Sequence, residues 1–298
     1  VIRLRPKKRT RGLFAPTVAA TGWGESTFAE LSWDKSRSAG MRWGIAGAVL
    51  GLLAALIVFA PAAWLAGAVA SATQQRLLLA DARGTVWSGS AVVVLTGGEG
   101  SRDASSLPGR LGWTLRPAGL GLMLQLEQAC CLNGQVALRV QPGFGRTTYT
   151  LVPPGGWVGQ WPTAFLGGLG TPFNTMQLGG TARLVSPGLK LESVQGRWLV
   201  DGRADVELVD VSSRLSTLES LGSYRMSLSG DAANPGISVL TLTTQDGALK
   251  LSGNGTLGPA GVRFRGEARA GPVEEAALSN LLNIIGRRDG ARSVISIG

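Results

Sequence analysis

The sequence predicts a mainly β protein: a single N-terminal transmembrane helix, then an antiparallel, curved or half-pipe β-sheet domain with one C-terminal helix. Three observations carry this reading. An uncharged run separates Arg42 from Arg76, and its most apolar part is Trp43–Leu65. From Gly84 onward, short alternating apolar and polar stretches are divided by Gly, Pro and Asp-Gly, the pattern of many short antiparallel strands. Only one later stretch repeats its apolar residues at convincing helical spacing, with Leu278, Leu281, Leu282 and Ile285.

The chain opens on a basic tail. Residues 1–42 hold nine Lys/Arg against three Asp/Glu, so more than half of the +10 net charge sits in this short piece. Basic residues beside a span mark its cytoplasmic side, which places residues 1–42 in the cytoplasm, within reach of anionic headgroups. The tail carries no DNA-binding motif, so the charge does not argue for nucleic acid. Met41-Arg42 abuts the span, so a start at Val1 and a start at Met41, with residues 1–40 misassigned, both fit the sequence.

The span itself is read as residues 43–65. A bilayer crossing needs about 20 apolar residues. Trp43 and Trp64 are 21 residues apart, roughly 31 Å along a straight helix at ~1.5 Å per residue, which suits two interfacial indole anchors. A buried soluble helix would show a polar face, and this stretch has none. Ala68-Val69-Ala70 before Ser71 resembles a signal cleavage site, but the apolar region exceeds the ~7–15 residues of a signal core. Gly47 and Gly51 form a small-xxx-small pair that lets a second helix approach, and Pro61 predicts a kink near Trp64. Residues 71–298 are then the exported β-rich domain.

Within that domain Leu120, Leu122, Leu124 and Leu126 are placed on one strand face. Val136, Leu138 and Val140 repeat the alternation, as do Val262 and Phe264. Asp201-Gly202 and Asp246-Gly247 are predicted as hairpin turns. Ser186-Pro187-Gly188, Pro142-Gly143 and Pro259-Ala260-Gly261 are read as longer turns. The spacing predicts roughly eleven to thirteen strands. Trp161–Leu169 is a shorter helix candidate. The C-terminal helix opens at Pro272, carries Glu274 and Glu275 in its first turn and stops at Gly286. One such helix covers little of a large apolar sheet face. The sheet must therefore fold over on itself, curl, or receive something external.

Enzyme chemistry finds no purchase. The chain has no histidine, which removes Ser-His and Cys-His nucleophile pairs and the usual zinc sites. Neither a catalytic residue nor a cofactor or metal ligand is assigned. Gly253–Gly258 matches GxGxxG, but a further strand follows where a dinucleotide site needs a helix. Asp201, Asp205, Glu207 and Asp210 form an acidic cluster, but Asp205 and Glu207 alternate with Val206 and Leu208, which reads as the wet face of a strand. Lys190 and Lys250 alternate with leucines in the same way. Cys130 and Cys131 are adjacent; they are read first as small residues at a strand edge, with a vicinal disulfide or a bond from one of them to another chain as the alternatives. Trp157, Trp161 and Phe173 are candidates for a partner surface or for core.

Several stretches resemble the protein N family of the type II secretion system. They are Leu77–Ser90 (LLLADARGTVWSGS), Gly170–Gly180 (GTPFNTMQLGG), Ser212–Leu218 with Leu221–Tyr224, and Asn280–Arg288 (NLLNIIGRR). With the anchor they cover residues 41–298; residues 1–40 look like an added extension. The resemblance implies an inner-membrane protein with a cytoplasmic N-terminus and a periplasmic domain, and an accessory role in moving folded proteins across the outer membrane. It implies partners among the bitopic inner-membrane subunits and the outer-membrane secretin, and no catalytic residues. Gly84–Ser90 also resembles the start of AsmA-type proteins, whose curved sheets hold lipid in an apolar groove. A membrane-anchored lipid-binding module is therefore the alternative.

Overall fold

A computed structural model describes the backbone of residues 24–298, apart from 153–154, 195–196, 232–233, 235 and 259–260, with side chains from residue 41 onward, that of Arg197 excepted. The basic run from Arg3 to Arg11 and the Pro259-Ala260 part of one expected turn lie outside the described residues. The chain divides into two compact units, with the boundary after Ile57.

The first unit is built on helix α1 (Gly24–Val58). Its segment Met41–Val58 has a mean hydropathy of 2.0 and none of it is buried; among the described residues it is the one helix long and apolar enough to cross a membrane. The helix expected over residues 43–65 is in fact two helices. α1 ends at Val58, and α2 (Ala62–Ala72) begins after Pro61. Proline has no N–H to continue the ladder and its ring strikes the preceding turn. Pro61 is extended instead and bridges to Thr85, while the Val86 N–H donates to the Ala60 carbonyl at 2.9 Å. Trp64 thus belongs to α2, and a straight rise from Trp43 no longer applies. Met41–Val58 alone rises about 27 Å, still near the thickness of a hydrocarbon core.

The second unit is one open antiparallel sheet of sixteen strands. In chain order they are β1 (Leu77–Gly84), β2 (Ser88–Thr96), β3 (Ala104–Ser106), β4 (Leu111–Ala118), β5 (Gly121–Glu127), β6 (Gln135–Gly143), β7 (Arg146–Val152) and β8 (Trp157–Pro162). A 3-10 helix (Thr163–Leu169) and the short α3 (Phe173–Met176) follow. Then come β9 (Leu178–Val194), β10 (Arg197–Ser213), β11 (Gly222–Gly230), β12 (Ser238–Asp246), β13 (Leu249–Gly258), β14 (Gly261–Ala270), helix α4 (Glu275–Ile285), β15 (Arg287–Asp289) and β16 (Arg292–Ile297). Strands pair in near-sequential order from β1 to β14, then β16 and β15, with β3 added to β2 and β8 added to β9. The sheet is not closed: β1 and β15 stand at the two ends of this order.

Two predicted turns prove to be interior to strands. β9 and β10 are 17 residues each and pair along most of their length. Asp201 lies opposite Lys190 and Gly202 opposite Leu189, so Asp201-Gly202 runs straight through the ladder. Gly202 has φ +92, and a Cβ there would come 2.2 Å from the Gly188 carbonyl oxygen. Ser186-Pro187 is the matching bulge: the register shifts between Arg203 and Asp205, and Ser186 Oγ donates to the Arg203 carbonyl at 2.7 Å. A bulge tolerates the proline that regular pairing would reject. Asp246-Gly247 does turn the chain, from β12 to β13. Pro142-Gly143 ends β6, and the turn is Phe144-Gly145. Leu120 is not on the strand face with Leu122: β5 begins at Gly121, and Leu120 sits in the two-residue turn closed by the Ala118–Gly121 pair.

Apolar cover comes from both ends of the strand order. Leu278, Leu281 and Leu282 of α4 are fully buried in a cluster with Tyr224, Leu242 and Phe264. Each such leucine contributes roughly 1.5–3 kcal/mol. Gly253 and Gly255 of β13 leave room for the Phe264 ring, since a Cβ at Gly253 would meet Phe264 Cζ at 2.4 Å; GxGxxG here is a packing device inside a strand. At the other end, Ala62 and Leu65 of α2 pack on Leu79, Ala91 and Trp113. α4 stops at Gly286, as its sequence predicts, but starts at Glu275 rather than Pro272; Gly286 is extended, and Arg287 and Arg288 enter β15.

Candidate functional site

Several of the polar groups singled out in the sequence have structural partners. Asp205 is bonded to Arg203 and Glu207 to Arg225, each at 2.8 Å, so two members of the acidic cluster are cross-neutralised on a strand surface. Burial works against ionised Asp205, yet hydrogen bonds from Arg203 and Ser227 hold its carboxyl below the usual range. Burial pushes the Tyr224 hydroxyl well above its ordinary value, and that hydroxyl donates to the Leu249 carbonyl at 3.0 Å. A neutral, satisfied phenol locks β11 to β13 and offers no proton for chemistry. Cys130 and Cys131, in the β5–β6 connection, are joined to each other as a vicinal disulfide, with Cys131 buried. Among the described residues no group of three or more His, Cys, Asp or Glu is placed to hold a metal ion.

A cleft of about 660 Å³ opens beside β3, the 3-10 helix, α3 and the ends of β9 and β10. Asp103, Phe173, Asn174, Gln177 and Arg214 are among its lining residues. Asn174 Nδ2 donates to Asp103 Oδ2 at 3.0 Å, and Ser213 Oγ donates to the Met176 carbonyl at 2.5 Å. The serine and the carboxylate are thus spent on backbone and amide partners, and neither is arranged as a nucleophile–base pair.

The expected surface residues divide by environment. Trp43 and Trp64 are both exposed, on α1 and α2 respectively. Gly47 and Gly51 are open, with nothing within 4 Å of an added Cβ. Trp157 and Trp161 lie on β8 and are half-buried; Trp161 packs with Val93, Leu107 and Phe165. Phe173 packs against the α4-covered core while lining the cleft. The structure therefore does not bring these three aromatics into one exposed patch.

Two surface features emerge once the strands are paired. The first is the apolar face of the central strands. Leu122, Val140, Tyr149, Leu191 and Val200 succeed one another across β5, β6, β7, β9 and β10, and directly paired residues share a face. All five are only partly buried, and the ring of the exposed Trp198 lies 5.7 Å from that of Tyr149, tilted by 40°. The second is a set of exposed turn-tip residues, Leu120 and Phe144. Their glycine flanks, Gly119-Leu120-Gly121 and Gly143-Phe144-Gly145, were the available signal.

The sequence profile of one family, type II secretion system (T2SS), protein N, matches residues 75–295, well over half of the chain. No curated protein and no solved structure matches. The matched region begins just before β1 and ends within β16, so it takes in the whole sheet and α4.

Proposed function

We propose, for a chain that belongs to the type II secretion system protein N family, that this component is an inner-membrane accessory and assembly subunit which acts through protein–protein contacts rather than catalysis. Membership makes it a secretion-system component that works with others of the system. The finer reading is a single-pass anchor within residues 43–65, its helical crossing being the α1 part that ends at Val58, with a cytoplasmic tail in residues 1–42 and a periplasmic domain over residues 71–298. It rests on one observation above all: α1 presents an uncovered apolar segment, Met41–Val58, ahead of the sheet. The partners in this reading are bitopic inner-membrane subunits and the outer-membrane secretin. Gly47 and Gly51 provide a flat stripe for a partner helix. Trp43 and Trp64 serve as interfacial anchors, and Trp157, Trp161 and Phe173 as secondary contacts. Deleting the gene and measuring secreted substrate and secretin abundance tests the role; unchanged secretion with unchanged secretin would refute it.

A second reading is favoured by the half-covered central face formed by Tyr149, Leu191 and Val200. There the sheet holds a lipid chain, as a membrane-anchored lipid-binding module would. Full-length protein stripped of bulk lipid by repeated detergent exchange should retain phospholipid. Leu191→Asn should release it. Protein that is lipid-free before mutation rules the reading out.

A further inference from the structure

Antiparallel connectivity decides which turns share an end of the sheet. The β1–β2 turn (Thr85–Trp87), the β4–β5 turn (Gly119-Leu120) and the β6–β7 turn (Phe144-Gly145) all fall at the same end of neighbouring strands. Hairpins two strands apart are separated by about 10 Å. The chain arrives from α1 at this same end: Pro61 bridges to Thr85, and the Ala60 carbonyl accepts from Val86. Trp113 Nε1 donates to the Val86 carbonyl at 3.1 Å, fixing the arrival point to the body of the sheet. α2 then carries Trp64, 57% exposed, in its first turn.

Leu120 and Phe144 are the residues out of place here, 98% and 107% exposed. Each is the non-glycine half of a two-residue hairpin turn whose glycine, Gly119 or Gly145, takes the positive φ. One exposed apolar side chain is ordinary, whereas two on neighbouring hairpins beside the chain's entry point form a pattern. The charges around them are basic. Arg116 lies four residues before Leu120, Arg146 two residues after Phe144, and Arg83 at the end of β1; all are exposed. The nearby acids are already paired, Asp81 with Arg83 and Arg110, and Glu192 on adjacent β9 with Lys190. Apolar tips flanked by arginine suit a surface with an apolar interior and anionic headgroups.

We propose that this hairpin end of the sheet rests on the phospholipid surface of the membrane that α1 crosses, with Leu120 and Phe144 inserted among the headgroups and Arg116 and Arg146 on their phosphates. The proposal builds on the membrane-anchored reading above and adds a second contact to it. Sheet twist turns successive hairpins away from one another, so Leu120, nearer the entry point, sits at least as deep as Phe144.

Photo-crosslinking of the full chain tests this, in vesicles of phosphatidylethanolamine and phosphatidylglycerol. Benzoylphenylalanine is introduced in separate variants at Leu120, at Phe144, at Arg102 in the loop at the opposite end, and at Leu50 in α1. The expected result is phospholipid adducts at Leu50, Leu120 and Phe144, several-fold above Arg102. Adducts at Leu50 with Leu120 and Phe144 no better than Arg102 would overturn the docking while leaving the anchor intact. Absence of adducts at Leu50 would overturn the anchor and the docking together. Adducts to protein in cells, with none to lipid in vesicles, would assign the tips to a partner protein and also overturn it. Replacing Leu120 and Phe144 together by serine should lower lipid crosslinking from a probe at Arg116 by a similar factor, with thermal unfolding unchanged.

Discussion

Helices α1 and α4 are both rich in leucine, and they meet opposite fates. The Met41–Val58 part of α1 is apolar around its whole circumference and unburied. α4 gathers its leucines on one stripe, and Leu278, Leu281 and Leu282 on it are completely buried, while Ile284 off the stripe is exposed. A sheet offers a helix only one face, so it can satisfy a stripe but not a circumference. A helix that is apolar all round, with its backbone bonded internally, is suited to lipid on every side. Helix α2 stands between them, burying Ala62 on the sheet and leaving Trp64 out. Patterning, more than hydrophobicity, decides which partner each helix takes.

The contrast can be broken most severely at Leu281. Leu281→Asp buries an unpaired charge under α4 and should cost more than about 4 kcal/mol, removing cooperative thermal unfolding by circular dichroism. A normal melt would show that α4 does not cover the core. Next in size, Leu50→Arg should cost about 3 kcal/mol of insertion at the centre of the span. Membrane fractionation should then show a larger soluble share, while the domain melts as before. A matching loss of domain stability would mean that α1 is a core element.

A smaller effect sharpens the α4 side. Gly253→Val pushes into the Phe264 ring and the Arg265 carbonyl, 2.4 and 2.9 Å from the new Cβ. Overpacking should cost about 1–3 kcal/mol in denaturant unfolding, partly restored by Phe264→Leu. The smallest effect lies near α2. Arg110 and Arg83 hold the Asp81 carboxyl below its usual value. Because the folded value lies below the unfolded one, the stabilisation is present above about pH 4 and fades as pH falls through the folded value. Asp81→Asn should flatten that acid limb slightly and leave the melting temperature at pH 7 nearly unchanged, since the group is fully exposed.

Strand alternation, the α4 stripe and the absence of histidine chemistry were all legible one residue at a time. Leu278, Leu281 and Leu282 announced themselves by spacing and occupy the core. The punctuation was harder. Asp246-Gly247 and Asp201-Gly202 carry the same dipeptide, and only the first turns the chain. A glycine with positive φ serves a turn or a bulge equally well, and the choice belongs to the strand across the ladder. For Gly202 that strand is β9, whose Ser186-Pro187 bulge accommodates it. Of the surface, the aromatics singled out from sequence, Trp157, Trp161 and Phe173, proved half-buried, whereas Leu120 and Phe144 stood clear. Side-chain type records how apolar a residue is, but not which side of a turn it occupies.

The sequence by itself determined that this chain has an all-apolar helix, a long run of alternating strands and one amphipathic helix to cover part of them. Those properties follow from local spacing, since helical and strand periods differ and each can be read within a few residues. Tertiary structure alone decided that the strands form one open sheet, that Pro61 pairs with Thr85, and that the hairpin tips lie beside the chain's entry point. Each of these depends on pairing between residues distant in the chain, which no local window contains.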